Sequence, residues 1–274
     1  MQNNIPMLSI VAMAVAALIG LAIPVVLYVV FRKKGANHLP FWIGCITFVL
    51  FALVLERLAY VLLMKLPFWT AITGNVWIYG LVGGLMAGVF EETGRFVAFI
   101  SVLRKKRGND VNALMYGAGH GGIEAVILMS ATMVVNMIFS LQSNAGIASP
   151  LGTASAALSL AATPSWMFLA GAVERLSAVA IHVSLSVLVW FAAKNSKKFW
   201  LFPLAILLHL LVDAVAVILS GSGVNVWIIE AAVFVITVGL VFLAIAVWKK
   251  NHVAPMDEPT AEETPAEQIS QAQQ

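Results

Sequence analysis

The chain has 274 residues, 61% of them apolar and only 11% charged, with sixteen Lys plus Arg, thirteen Asp plus Glu and a formal net charge of +3. A soluble domain carries about 25% charged residues, and the mean hydropathy of +0.94 excludes a soluble enzyme, a disordered chain and a nucleic-acid-binding domain with a broad basic face. The single cysteine, Cys45, excludes an intrachain disulfide framework and a Cys-based zinc site. A polytopic, all-α membrane protein remains.

A helix needs roughly 20 apolar residues to cross the hydrocarbon. Windows of that size predict seven transmembrane helices, over 7–31, 40–64, 76–103, 111–140, 166–193, 199–220 and 224–248. The first is too long for a signal peptide and lacks a basic leader and a small-residue cleavage pattern, so it reads as retained. Twelve of the sixteen bases sit in four breaks: Arg32-Lys33-Lys34, Arg104-Lys105-Lys106-Arg107, Lys194 with Lys197-Lys198, and Lys249-Lys250. With seven spans all four fall on one side, and the positive-inside rule places the N-terminus outside and the C-terminus in the cytoplasm. The stretch from Gln142 to Ser165 is uncharged and rich in small residues. It reads either as a re-entrant flap or as a flexible loop.

Residues 1–250 thus form one polytopic domain of the plasma membrane, with a core over about 76–220. Residues 251–274 read as a disordered acidic cytoplasmic tail, with five acids and no base beyond 253. Outside that tail sixteen bases face eight acids, a balance suited to anionic lipid headgroups.

Ten charges fall within spans: Glu56, Arg57, Glu91, Glu92, Arg95, Glu124, Glu174, Arg175, Asp213 and Glu230. At about 1.5 Å rise per residue, Glu56, Arg57, Glu174, Arg175 and Glu230 lie near the external ends, where pairing between helices is their expected work. The others lie deeper. Glu91 and Glu92 stand about 18 Å from the cytoplasmic end of span three, and His120, His182 and His209 about 14, 17 and 15 Å into spans four, five and six. Two adjacent carboxylates and three histidines therefore share one slab on four consecutive helices, where unpartnered charge is costly.

Helical spacing lets Arg95 neutralise one of the two glutamates and puts His120 with Glu124, and His209 with Asp213, on common faces. Gly80, Gly84 and Gly88 form a small-residue stripe leading to Glu91, and Gly117, Gly119, Gly121 and Gly122 flank His120; such stripes allow close helix approach. The short 104–110 connection makes spans three and four neighbours.

This slab suits activation of water for hydrolysis, with a glutamate as general base and histidine donors for the oxyanion. It also suits zinc, held by His120, His182 and His209 with an open position for water. HExxH is absent, and neither Ser184 nor Ser186 lies in a nucleophile elbow. Buried acids also mark ion pathways. A proton-coupled transporter is therefore an alternative, although Pro24 and Pro203 are not a matched pair of helix breaks. A non-catalytic scaffold or immunity protein of the same fold is another.

Three segments carry a family resemblance: EETGR at 91–95, YGAGHGGIE at 116–124 and HLLVD at 209–213. They resemble the signatures of the CPBP superfamily, the CAAX-prenyl protease and bacteriocin-processing intramembrane proteases, whose pattern is roughly EExxxR, FxxxH and HxxxN or HxxxD. His182 and the seven-span layout look most like its YhfC branch of intramembrane metalloproteases. The resemblance covers about 90–215, a four-helix catalytic core of spans three to six. It implies that Glu91 or Glu92, with His120, activates the attacking water and that His209 and Asp213 stabilise the oxyanion. Arg95, Glu124 and Tyr116 would support them, and the substrate would be a peptide or membrane protein. Two departures stand out: the arginine is one residue early, as in the related PrsW branch, and Tyr116 replaces phenylalanine. The first leaves open which glutamate is the base.

Overall fold

The computed structural model describes residues 4–252, so the expected tail beyond 252 lies outside the described residues. Seven long helices follow in order: α1 Met7–Lys33, α2 Leu39–Leu63, α3 Val76–Ile100, α4 Val111–Asn144, α5 Ser165–Lys194, α6 Leu201–Gly221 and α7 Val226–Asn251. Six are long and apolar enough to cross a membrane. The other is α3, whose 25 residues include Glu91, Glu92 and Arg95. The protein is an all-helical, multi-pass membrane protein, and long apolar side chains such as Leu8, Leu18, Val235 and Phe242 face outward, as a lipid environment permits.

The helix ends follow from local chemistry. Asn75 accepts from the amides of Trp77 and Ile78 to start α3, and Asn225 caps α7 through Trp227, satisfying donors that a helix start leaves orphaned. Gly35 closes α1 at φ 87°, letting the Ala36 amide reach back to Phe31 O at 3.0 Å. Two helices contain wide π-helical turns, Val49–Glu56 in α2 and Ala125–Ala131 in α4.

Between α4 and α5 the expected flap or loop contains a short helix, Ala154–Ala162, capped by Thr153. Ala157 buries against Ile5, Ile10 and Phe139, so this stretch is packed on the bundle. Apolar alanines at helical spacing supply the face that the lack of charge had obscured.

The most enclosed element is α5, which α1, α4 and α7 flank. Its lower half joins Phe99, Tyr116, Leu188, Trp190 and Leu201 in the largest apolar cluster. The glycines decide who meets whom. A Cβ at Gly84 would stand 2.5 Å from Leu210 O, and one at Gly88 2.7 Å from Ile206 O. The stripe therefore lies on α6, and α3 meets α4 through side chains such as Phe99 against Tyr116. On α4, Gly117 and Gly121 receive α5 at Val183 and His182, Gly122 receives Pro24 of α1, and Gly119 receives Phe41 of α2. Removing Cβ on several sides lets the first half of α4, where Asn112 to Gly122 are mostly buried, pack closely against its neighbours.

The four basic breaks gather at one end. Asn109 donates to Gly35 O at 2.8 Å, Arg107 to Ala193 O, and Lys194 and His252 approach Asp110 at 2.5 and 3.0 Å. Of the five charges expected to brace the other end, Arg175 and Glu174 pair; Glu56, Arg57 and Glu230 have no ion pair among the described residues.

Candidate metal centre

The deep polar residues converge from α3, α4, α5 and α6. Glu91 and Glu92 are adjacent on α3 and diverge by about 100° around the helix axis. That rotation gives them different neighbours. Glu92, fully buried, accepts from Arg95 Nη1 at 2.5 Å and meets His209 Nδ1 at 2.8 Å. Glu91 meets His120 Nε2 at 2.9 Å and lies 3.9 Å from His182 Nδ1. Arg95 thus neutralises one member of the pair, as its spacing allows, and that member is Glu92.

Arg95 reaches a second partner, donating through Nη2 to His182 Nδ1 at 3.2 Å. The other ring nitrogen of His182 stands 2.6 Å from Glu124 Oε2, an ion-pair contact rather than an aligned hydrogen bond. Glu124 is in turn gripped by Arg175 Nη1 at 2.6 Å. The expected pairing of Glu124 with His120 on its own helix is therefore replaced by pairing across to α5. His209 Nε2 and Asp213 Oδ2 lie 3.6 Å apart, so that pair shares a face as its spacing requires. The three imidazoles form a row, with centroids 4.8 Å apart from His120 to His182 and 5.5 Å from His182 to His209.

Within this layer Glu91, His120 and His182 each offer a ligand atom, all within 4.8 Å of one another and all buried. The group could hold a metal ion. The donor set fits, since two histidines and a carboxylate with an open fourth position are a catalytic zinc arrangement. The surroundings fit as well. A carboxylate beside the remote nitrogen of a ligating histidine fixes its orientation, and Glu124 stands in that relation to His182. Buried His120 Nδ1 has no partner among the described residues. Compared with the expected three-histidine set, Glu91 takes the place of His209, whose Nδ1 is turned to Glu92.

Tyr116 sits one turn from His120 with its ring against Phe99 and tilted 30° to the His120 ring at 6.0 Å, and Phe48 closes another side of His120 at 5.3 Å. These aromatics confine the imidazole. Above the layer a cavity of about 630 Å³ is lined by Glu91, Glu124, His182, His209, Asp213 and Glu230 among others, and reaches the end of the bundle where Val76 and Val226 begin their helices. Glu92 and His120 are not among its lining residues. Arg175 and Tyr79 also line it. Depth along α5 puts Arg175 near the external end, yet Arg175 and His182 are seven residues apart and two helical turns return them to one face.

The chain matches the description "YhfC intramembrane metalloprotease" over residues 19–234. A relative, "Uncharacterized membrane protein YhfC" from Bacillus subtilis (strain 168), is 33% identical over 251 residues, spanning 88% of this chain and 95% of that protein. No solved structure matches. The matched region contains all four helices that carry the polar layer, and the chain belongs to the YhfC intramembrane metalloprotease family.

Proposed function

We propose that the protein is an intramembrane endopeptidase that hydrolyses a peptide bond of a membrane-embedded or membrane-adjacent substrate in the cavity above Glu91. The observation carrying this reading is the asymmetry of the glutamate pair. Glu92 is locked between Arg95 and His209, while Glu91 touches His120, lines the cavity and belongs to the metal-spaced group. We assign Glu91 to the reacting centre and Glu92 to holding His209.

Glu91, His120 and His182 would hold the metal, with zinc the ion best suited to these donors. When bound, such an ion supplies Lewis-acid polarisation of the scissile carbonyl and acidifies water. The protein's own groups do the rest. Glu124, steadied by Arg175, keeps the Nε2 side of His182 engaged, so that Nδ1 is turned to the side where Arg95 Nη2 and Glu91 lie. His209, held through Nδ1 by Glu92, presents Nε2 to the cavity beside Asp213, where it donates to the carbonyl oxygen as negative charge develops. As the water oxygen bonds to the carbonyl carbon its proton passes to the Asp213 carboxylate, and that proton is delivered to the amine nitrogen as the C–N bond breaks. The aromatic walls around His120 restrict bulk water.

We further assign α3 as the seventh span, its charges paired inward, with the four basic breaks cytoplasmic and the N-terminus outside. The cavity then opens toward the external face, and anionic lipids border the basic end. The test is the purified protein in detergent with a fluorogenic peptide panel and metal analysis, beside Glu91→Gln and His120→Ala. Cleavage by wild type alone, with stoichiometric metal lost on His120→Ala, supports the reading. Indistinguishable behaviour of three folded proteins sinks it.

A further inference from the structure

A second cavity, of about 450 Å³, adjoins the first and shares Tyr79 and Asp213 with it. Its other polar and aromatic walls are Glu56, Arg57, Tyr60 and Trp69. Glu56 is only 8% exposed, lines this cavity and has no hydrogen-bond or ion-pair partner among the described residues. It ends the π-helical turn of α2, a local widening that is frequent at functional sites. A carboxylate so enclosed within an apolar bundle is costly without a partner. Arg57 follows it on the cavity wall, is itself exposed, and makes no ion pair with Glu56 among the described residues.

We propose that this second cavity is a specificity pocket for a basic side chain, lysine or arginine, of the peptide substrate, with Glu56 as its principal anion. The occupant rests on the peptidase reading above; the pocket rests on its own geometry. Tyr60 and Trp69 meet edge to face at 6.2 Å, and Gly83 of α3 lies beside the Tyr60 hydroxyl. Aromatic faces with carboxylates behind them attract an ammonium or guanidinium group. A bare divalent ion does not fit, because the one metal-spaced group among the described residues is Glu91, His120 and His182. A lipid ammonium headgroup fits poorly, because it would bring its phosphate against Glu56 and Asp213. A peptide lying over Glu91 reaches the pocket directly, past Asp213 and Tyr79.

The test uses full-length, zinc-loaded protein in detergent and two end-blocked peptides identical except for lysine or norleucine. Binding is read by thermophoresis and cleavage by mass spectrometry. Wild type is expected to bind the lysine peptide about tenfold more tightly, as a charge-assisted contact implies. The ratio falls to about one in Glu56→Gln and falls also in Tyr79→Leu on the opposite wall, which guards against a folding defect in either variant. Equal binding of the two peptides by wild type overturns the proposal, as does a preference that survives in both folded variants. Abolition of the preference by phosphatidylethanolamine but not phosphatidylglycerol assigns the site to a lipid and likewise overturns it. Lysine preference without cleavage of any peptide counts against the peptidase reading alone; cleavage without preference counts against the pocket alone.

Discussion

The bundle buries two ionic clusters, and they are built differently. At the basic end Asp110 is surrounded by Trp190 Nε1 at 2.9 Å, Lys194 Nζ at 2.5 Å and His252 Nδ1 at 3.0 Å. In the central layer Glu91, His120 and His182 are spaced to share an ion, His120 Nδ1 and Arg95 Nε have no partner among the described residues, and a cavity stands open above. A saturated cluster stabilises, because every buried lone pair has a donor. An unsaturated one beside a cavity retains capacity for something that binds there. Burial of charge alone does not distinguish a tie from a site; unsatisfied polar atoms beside a cavity do.

The largest effect that can test this contrast is Glu91→Gln. Peptide turnover should fall by at least about 10²-fold, beyond what loss of an outer-shell partner costs, because the metal-spaced group loses its carboxylate donor, while the thermal midpoint of the metal-free protein moves little. A comparable loss of turnover in Asp110→Asn would erase the distinction. That variant should instead lower stability by about 3 kcal/mol, the cost of leaving Lys194 and His252 facing a neutral group in a buried cluster, read by thermal unfolding in detergent with kcat retained.

Metal removal separates the clusters in another way. Chelation should destabilise wild type by about 2–3 kcal/mol if zinc is present at 100 times its Kd, and leave His120→Ala unchanged. Equal responses in the two proteins would remove the metal from the central layer. Smaller again is Gly84→Ala, whose Cβ would stand 2.5 Å from Leu210 O. It should cost about 1–3 kcal/mol through overpacking of α3 on α6 and raise KM as the cavity wall shifts.

The smallest effect is in pH. Burial pushes the Asp110 carboxyl up, but hydrogen bonds from Lys194, Trp190 and His252 and the Lys194 charge outweigh it and hold the group below its ordinary 3.8. A depressed folded pKa contributes stability that is complete above the unfolded value and is lost as pH falls through the folded one. Wild-type stability should therefore decline below about pH 4, and Asp110→Asn should flatten that part of the curve.

Much of the molecule was legible before any tertiary contact was known. Runs of apolar residues divide the chain into long helices because an unpaired backbone is intolerable in lipid, and the basic breaks gather at one end as their alternation requires. The deep layer was legible because charge is scarce and each histidine's depth follows from helical rise. Asp110 falls by sequence in the 104–110 connection, where nothing local announces its burial; Trp190 and His252 reach it from 80 and 142 residues away. Arg175 was placed at the rim although it holds Glu124.

By itself, then, the sequence determined the helical membrane class, the identity of the polar layer, and the pairing of Arg95 with one adjacent glutamate, all consequences of composition and of the 3.6-residue period. Tertiary structure alone decided that Arg95 takes Glu92, that Glu124 turns to His182, that Glu91 joins the metal-spaced group while His209 turns to Glu92, and that the glycine stripe seats α6. The reason is geometric. Periodicity assigns a residue to a face of its own helix, but what that face meets depends on rotations and packing set by every other helix in the bundle.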